Sequence, residues 1–222
     1  MSDSPWMPSP SRTTGNAAST PVGRIIEVAT VLLLGLATVG SAWSAYQVSQ
    51  WNGLETDEAR IAASYRIDAS REYALATQII AYDAAVVSQF AQAVALDNEA
   101  LQTFLEATLV RPGFRPIIED WRRQIDEGGT PTNLLEDMEY REGLFAASEE
   151  ADTEAAAAAV RSEDAGSNAE DYVRLTLFFA TALFFAGVTA SFNTRFTKVV
   201  LLTAATAVLL FAGAQLISYP VA

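Results

Sequence analysis

The chain has 222 residues, half of them hydrophobic, with 14 basic and 27 acidic residues and a formal net charge of −13. It contains neither Cys nor His, which excludes disulfides, thiol catalysis, Cys-ligated zinc, axial ligation of haem by His and Ser–His–Asp hydrolysis. An acidic chain also repels the phosphate backbone, so we expect no nucleic-acid partner.

Three apolar runs predict three transmembrane helices, at residues 24–48, 172–192 and 199–219. At 1.5 Å per residue, each run is long enough to cross a hydrocarbon core of about 30 Å. Arg24 and Glu27 stand three residues apart at the start of the first run, so we expect them to pair near the membrane interface. A cleaved signal peptide is the alternative for this run, but its long apolar stretch and poorly charged start favour a retained span.

The orientation follows from the segment 193–198, which joins the last two spans and contains Arg195, the only lysine of the chain (Lys198) and no acid. The positive-inside rule places this basic loop in the cytoplasm. Residues 1–23 are then a cytoplasmic tail, predicted to be disordered, and residues 49–171 lie outside the cytoplasm. Three aromatic residues at the exit of the first span are typical of an interfacial belt: Trp43, Tyr46 and Trp51. The predicted location is the inner membrane of a bacterium, with a periplasmic central domain.

The central region begins with a long helical stretch, because residues 54–110 contain neither Pro nor Gly. Five apolar residues recur there at steps of seven: Tyr73, Ile80, Val87, Val94 and Leu101. Such a stripe predicts a long helix packed against another helix, as in a coiled coil. Asp83 and Asp97 interrupt a second row, three residues later in each heptad. A single unbroken helix and a reversal near residues 97–99, capped by Asp or Asn, both remain open.

Two further helices are predicted before the second span. Arg115-Pro116 opens a short amphipathic helix, and residues 134–164 form an Ala- and Glu-rich helix that depends on helix propensity. The segment 166–168 separates that helix from the second span. The predicted fold is therefore an all-α membrane protein with three transmembrane helices and a long-helix, coiled-coil or bundle-like domain between the first and the second.

Acidic residues dominate the central region, with 25 acids and nine arginines between residues 50 and 172, a net charge of −16. This surface either keeps the domain soluble or attracts cations or a basic partner. The acids lack the spacing of a calcium loop, and a Glu-x-x-His di-metal motif is impossible without His. We expect neither a metal site nor a cofactor.

Small residues spaced by four mark one face of each of the first two spans. The rows are Ala37, Ser41 and Ala45 in the first span and Ala182, Ala186 and Ala190 in the second. Such faces allow close helix packing in lipid. They can pack the spans of one chain, join copies of it or dock a larger complex.

Four short segments stand out along the chain: Trp43-Ser-Ala-Tyr46-Gln47, Trp51-Asn-Gly53, Phe114-Arg115-Pro116 with Trp121, and Met138-Glu139-Tyr140-Arg141. Through these segments, and through the closing pair of spans with its short basic loop, the chain resembles a family of bacterial three-span inner-membrane proteins built on a domain of unknown function. The resemblance covers residues 28–220. It implies one span, a helical extracytoplasmic domain and two spans, and it transfers no catalytic or ligand-binding residue.

These features predict a non-enzymatic accessory or scaffolding subunit that packs against itself or against a larger membrane complex. Its expected partners are the lipid bilayer and other membrane proteins, and no small-molecule substrate is identifiable. The order of span, long helices and span also resembles the sensing half of chemoreceptors and sensor kinases, which makes a sensor with a separate output protein the alternative. A small channel or transporter component is less favoured, because the spans lack a polar stripe.

Overall fold

A computed structural model describes residues 21–129, 138–192 and 194–222. Of these residues 90% are helical and none lies in a strand, so the all-α prediction is confirmed. The five helices are α1 (Pro21–Ala95), α2 (Glu99–Thr108), α3 (Arg115–Asp126), α4 (Met138–Thr189) and α5 (Arg195–Ser218). Three of them, α1, α4 and α5, are long and apolar enough to cross a membrane, which is typical of a membrane protein.

Helix α1 continues without a break for 75 residues, and the reversal predicted near residues 97–99 follows it. Asp97 adopts a left-handed backbone conformation, with φ 53°, a region that Asp tolerates better than most residues. The side-chain oxygen of Asn98 then accepts a hydrogen bond from the backbone N–H of Leu101 at 3.0 Å. The helix is therefore capped by Asn, and α2 turns back along α1.

Helix α4 is also continuous, so the predicted boundary at residues 166–168 is wrong. No Pro lies within the 52 residues of this helix, and the backbone N–H groups of Gly, Ser and Asn can all extend the hydrogen-bond ladder. The helix that we predicted over residues 134–164 is described only from Met138, and its earlier residues lie outside the described chain.

Two predicted segment boundaries differ at the membrane-associated ends. Helix α5 begins at Arg195, so most of the basic segment 193–198 is the first helical turn; residue 193 lies outside the described chain. Helix α1 begins at Pro21, so the end of the predicted tail 1–23 is helical. Proline is favoured at the first turn of a helix, where no partner is needed for its missing N–H. Residues 1–20 lie outside the described chain.

The contacts divide the chain into two compact units. The central domain consists of Trp51–Ser167, described at residues 51–129 and 138–167. The described part of the span unit consists of residues 21–50, 168–192 and 194–222. Helices α1 and α4 contribute residues to both units, and α5 belongs to the span unit.

The span unit packs its three helical segments through small residues and a few aromatic contacts. Phe179 of α4 lies against α1 at Gly40, and Phe178 contacts Phe211 of α5 with ring centroids 5.1 Å apart. The hydroxyl of Tyr172 donates to the carbonyl oxygen of Pro220 at 3.0 Å. Buried alanines complete the packing: Ala37, Ala182, Ala186, Ala205 and Ala212.

The small-residue rows of the spans take part in contacts within the chain at only some of their positions. Ala45 and Ala190 are exposed and Ser41 is half-buried. The buried rows are Ala37, Gly40, Ser44 and Gln47 in α1, and Ala182, Ala186 and Thr189 in α4. Each step of four residues turns about 40° beyond a full helical turn, so residues spaced by four leave the contact after two steps. Residues at alternating steps of three and four remain on the same side of the helix.

The core of the central domain forms where α2 and α3 fold against the end of α1. Its buried residues are Val86, Phe90, Ala93, Leu105, Val110, Phe114, Ile118 and Trp121. Phe90 is fully buried and meets the Trp121 ring edge-on at 6.0 Å. Arg122 lies over the Phe90 ring, 5.3 Å from its centroid, and pairs with Glu106 at 3.0 Å. The amphipathic helix predicted at Arg115-Pro116 is confirmed as α3.

Gly40→Ala should weaken the span unit, whereas Gly35→Ala should not. A Cβ atom at Gly40 would lie 2.5 Å from two ring carbons of the buried Phe179, and one at Gly35 would meet nothing within 4 Å. We expect Gly40→Ala to cost about 1–3 kcal/mol of unfolding free energy through overpacking. Gly35→Ala should be neutral or stabilising by under about 1 kcal/mol, since alanine favours the helix. Reversible unfolding by sodium dodecyl sulfate in mixed micelles measures both, and equal effects would contradict the close approach.

Candidate functional site

Helices α1 and α4 run antiparallel within the central domain. Arg161 of α4 donates to Glu58 of α1 at 2.9 Å, and further along α1 Tyr73 contacts Phe145 with ring centroids 5.2 Å apart. Residue numbers that rise along α1 therefore face numbers that fall along α4. This register determines which side chains of the two helices meet.

Alanines form the contact between these two helices. The buried alanines along this contact are Ala62, Ala69 and Ala76 in α1 and Ala155, Ala158 and Ala165 in α4. In α1 they recur at steps of seven and continue into Asp83 and Phe90. A side chain of one carbon allows the two backbones to approach closely. The row that Asp83 interrupts in the sequence is therefore the buried row of α1.

Asp83 is the buried charge of this contact, with 1% of its surface exposed. Arg111, in the connection between α2 and α3, donates from Nε to Oδ1 at 3.0 Å and from a terminal nitrogen to Oδ2 at 2.5 Å. The hydroxyl of Tyr140 of α4 also donates to Oδ2. The carboxylate thus joins three separate parts of the central domain, and the paired arginine compensates the cost of burying it.

These bonds shift the ionisation of both partners of Asp83. The pKa of Arg111 is raised, chiefly because its charged form donates to Asp83. The pKa of Tyr140 is raised first by burial and then by its hydrogen bond to the Asp83 carboxylate. A phenolate there would lose that bond and stand beside a negative charge, so the neutral hydroxyl is the stable form.

The cleft beside this cluster offers little further chemistry. It has a volume of about 450 Å³ and is lined in part by Arg111 and Tyr140, whose polar groups already bond to Asp83. Among the residues that the structure describes, no group of three or more acidic side chains is arranged to hold a metal ion. The cluster therefore fixes the packing of α1 against its neighbours. From the sequence, Asp83 is interpreted only as an interruption of a second heptad row. An acid at an otherwise apolar heptad position of a long helix indicates a buried, paired carboxylate, and this pattern is present in the sequence.

The predicted stripe of α1 lies at the edge of its buried row. Tyr73 is 60% exposed and Leu101 38% exposed, while Ile80, Val87 and Val94 are half-buried. Val87 and Val94 pack against the core of the central domain. These two positions therefore contribute to folding, and changing them would not isolate an interaction with another molecule.

A different row of α1 is apolar and exposed. We define the exposed row as Leu54, Ile61, Tyr65 and Leu75, which are 44%, 41%, 36% and 51% exposed. Leu54, Ile61 and Leu75 share one heptad position, at which Asp68 also stands, so they lie along one side of the helix. Exposed carboxylates of Asp57, Asp68 and Glu72 lie on the same side. The sequence contains this spacing, but it gives no sign that this row, and not its neighbour, is the exposed one.

The predicted membrane-interface residues occupy varied positions. Arg24 and Glu27 are both exposed, and within the described chain they form no ion pair. Trp43 and Tyr46 are exposed and contact one another at 5.8 Å between ring centroids. Trp51 is half-buried, and its indole N–H has no hydrogen-bond partner among the described residues.

The two basic residues predicted at the cytoplasmic interface lie in the first turn of α5, where Arg195 is exposed and Lys198 is half-buried.

Comparison with known proteins adds no relative. No family model, no curated protein and no solved structure matches this chain. The family resemblance described from the sequence therefore stays a prediction.

Replacing Asp83 by Ala should destabilise the chain far more than replacing Asp68 by Ala. The first change leaves Arg111 and Tyr140 without their acceptor at a nearly closed site, which we expect to cost about 3 kcal/mol. Asp68 pairs with Arg71 on the surface, where both side chains are more than half exposed, so its loss should cost under about 1 kcal/mol. Unfolding of both variants in the same micelles measures the difference. Equal losses would refute the structural role of Asp83.

The contribution of Tyr140 to stability should decrease above pH 10. Its folded-state pKa is raised well above the ordinary value of 10.0, so its stabilisation is complete below about pH 10 and is lost progressively as the pH rises towards the folded-state pKa. The difference in unfolding free energy between the wild type and Tyr140→Phe, measured from pH 8 to 11.5, should therefore be constant up to about pH 10 and become smaller above it. A difference that stays constant across this range would contradict the bond from the neutral hydroxyl to Asp83.

Proposed function

We propose that this protein is a non-enzymatic accessory or scaffolding subunit of a bacterial inner membrane, whose central domain binds a partner protein through the exposed row. The observation that carries the proposal is the exposed row itself, a side of α1 that has apolar residues at heptad spacing and is not covered by the described part of the chain. Helix faces of this kind are used to pack a second helix.

The charges on this side of α1 indicate the chemistry of the partner. Three acids stand among the apolar residues of the exposed row. Asp57 and Asp68 pair with Arg60 and Arg71 of the same helix, whereas Glu72 forms no ion pair among the described residues. The surrounding region has a net charge of −16. A second copy would bring the same charges to the contact, and that repulsion disfavours self-association. An amphipathic helix with apolar residues at heptad spacing and flanking Lys or Arg satisfies both features. We infer that the partner presents such a helix.

The topology of the proposal comes from the flanks of the spans. Helices α1, α4 and α5 are each long and apolar enough to cross the membrane, and Arg195 and Lys198 are basic residues at the start of α5. Positive residues are retained on the cytoplasmic side, which supports a cytoplasmic N-terminus and a periplasmic central domain. The partner then binds outside the cytoplasm, beside the membrane.

Substituting the exposed row should release the partner without unfolding the chain. The test is purification of the tagged full chain from its own membranes in mild detergent, comparing the wild type with Ile61→Ser/Leu75→Ser. We expect a stoichiometric protein with a basic amphipathic helix to co-purify with the wild type and to be lost, by at least tenfold, from the double variant. Ile67→Ser is the matched control, because Ile67 is also on α1 and 54% exposed but lies on another side of the helix.

Two results would overturn the proposal. One is a partner that the double variant retains at the wild-type level. The other is a wild type that purifies as a homo-oligomer and becomes monomeric in the double variant, which would assign the exposed row to self-association. Circular dichroism of each variant verifies that the helical content is unchanged.

A further inference from the structure

A cavity lies in a groove between α1 and α4 of the central domain, separate from the Asp83 cluster. We define the α1–α4 groove by Arg66, Ser70 and Tyr73 of α1 and Arg141, Phe145 and Ser148 of α4; its volume is about 770 Å³. Ligand sites typically occupy about 300–1,000 Å³. The groove exists because Ala69 and Ser148, both buried, are too small to fill the space between the helices.

Two arginines that form no ion pair among the described residues line this groove. Of the nine arginines between residues 50 and 172, six form ion pairs with nearby carboxylates. Arg66 and Arg141 are two of the remaining three, and within the described chain neither lies within ion-pairing distance of an acid. Because residues 50–172 contain 25 acids, most of their arginines have a carboxylate nearby. Two arginines that form no ion pair among the described residues are therefore unexpected, and both line the same cavity. Their guanidinium groups are available to bind a carboxylate.

Two carboxylates line the same groove, at the end opposite Arg141. Glu149 and Asp152 are both exposed lining residues and, like the two arginines, form no ion pair among the described residues. The antiparallel register, in which Glu58 faces Arg161 and Tyr73 faces Phe145, brings Arg66 level with Asp152. One end of the groove therefore carries Arg66 with Glu149 and Asp152, which gives it a net charge of −1. The other end carries Arg141, with a charge of +1.

The middle of the groove is apolar. The rings of Tyr73 and Phe145 lie 5.2 Å apart, and Ala69 is buried beneath them. Glu149 and Arg141 are eight residues apart on α4, which corresponds to about 12 Å along the helix axis. An extended peptide of three or four residues spans about 10–14 Å. The groove thus presents an anionic end, an aromatic middle and a cationic end at the spacing of such a peptide.

We propose that the α1–α4 groove binds a short peptide with free termini. Its carboxylate binds Arg141, its ammonium group binds Glu149 and Asp152, and an apolar side chain packs on Tyr73 and Phe145. Such a peptide is zwitterionic, so the negative field of the domain does not repel it as it would repel a dianion. Arg66 is a further donor for a peptide carbonyl. This site is independent of the exposed row and supplies a sensing role for the same domain.

The test uses the full chain in detergent and the tripeptide alanyl-phenylalanyl-alanine as the probe. Isothermal titration calorimetry should show saturable binding at one site per chain. Acetylating the amino terminus or amidating the carboxyl terminus of the peptide should each weaken binding at least tenfold. These comparisons use the wild-type chain alone, so no variant has to fold for them to be decisive.

Variants then assign each end of the peptide. Arg141→Gln should weaken binding of the free peptide at least tenfold. In this variant, amidating the carboxyl terminus of the peptide should no longer change the affinity, while acetylating its amino terminus should still weaken binding. Glu149→Gln/Asp152→Asn should have the reverse pattern, since coupling between two groups that touch is lost when either is removed. Arg115→Gln is the matched control, because Arg115 also forms no ion pair within the described chain and is exposed outside the groove. The affinity of this variant for the peptide should equal that of the wild type.

Three results would refute the proposal. The first is the absence of saturable binding up to millimolar peptide. The second is equal affinity for free and blocked peptides, and the third is an affinity that Arg141→Gln and Arg115→Gln change alike. Loss of the partner from the exposed-row variant is measured separately, so failure of one proposal does not affect the other.

Discussion

A carboxylate that is almost closed off from water must be satisfied by the protein, and in the central domain this constraint falls on Asp83. Its two oxygens accept from Arg111, in the connection between α2 and α3, and from Tyr140 on α4. Because the donors come from different elements, the carboxylate is satisfied only when α1 has one particular rotation and one register against α4. A stripe of alanines alone permits several rotations and registers of the two helices with nearly equal packing energy. The directional bonds to Asp83 select one of them.

That rotation determines what the other sides of α1 can do. With the alanine row turned inwards, Val87 and Val94 lie against the core, while Leu54, Ile61 and Leu75 remain exposed. Apolar residues left outside along one side of a helix are the feature on which the proposed partner contact depends. The net negative charge of the region around this row is the reason for proposing a basic surface on that partner.

Small side chains have a second consequence, which differs between the two units. In the span unit, Gly40 leaves room for the ring of Phe179, so aromatic and backbone surfaces meet directly and dispersion contacts replace the hydrophobic effect that lipid does not provide. Hydroxyl groups in the spans bond to their own helix: Thr38 donates to Leu34 at 2.7 Å and Ser44 to Gly40 at 2.9 Å. In the central domain, Ala69 and Ser148 leave the α1–α4 groove unfilled, and the close helix contact creates a cavity between longer side chains.

The sequence by itself determined the helical class, the three apolar helices and the short helix after Arg115-Pro116, because all of these depend on local features: hydrophobic runs and helix propensity. The sequence offered a reversal near residues 97–99 and a single unbroken helix as alternatives, and the tertiary structure has the reversal, capped by Asn98. It did not determine that α4 continues through residues 166–168, since a Gly-Ser-Asn segment fits a helix and a loop almost equally well. Nor did it determine which heptad row of α1 is buried. That choice depends on Arg111 and Tyr140, which lie 28 and 57 residues from Asp83 along the chain, and only the tertiary structure brings them to it. The exposed row and the α1–α4 groove follow from the same choice, because a rotation of the helix exchanges buried and exposed sides without changing its local hydrogen bonds.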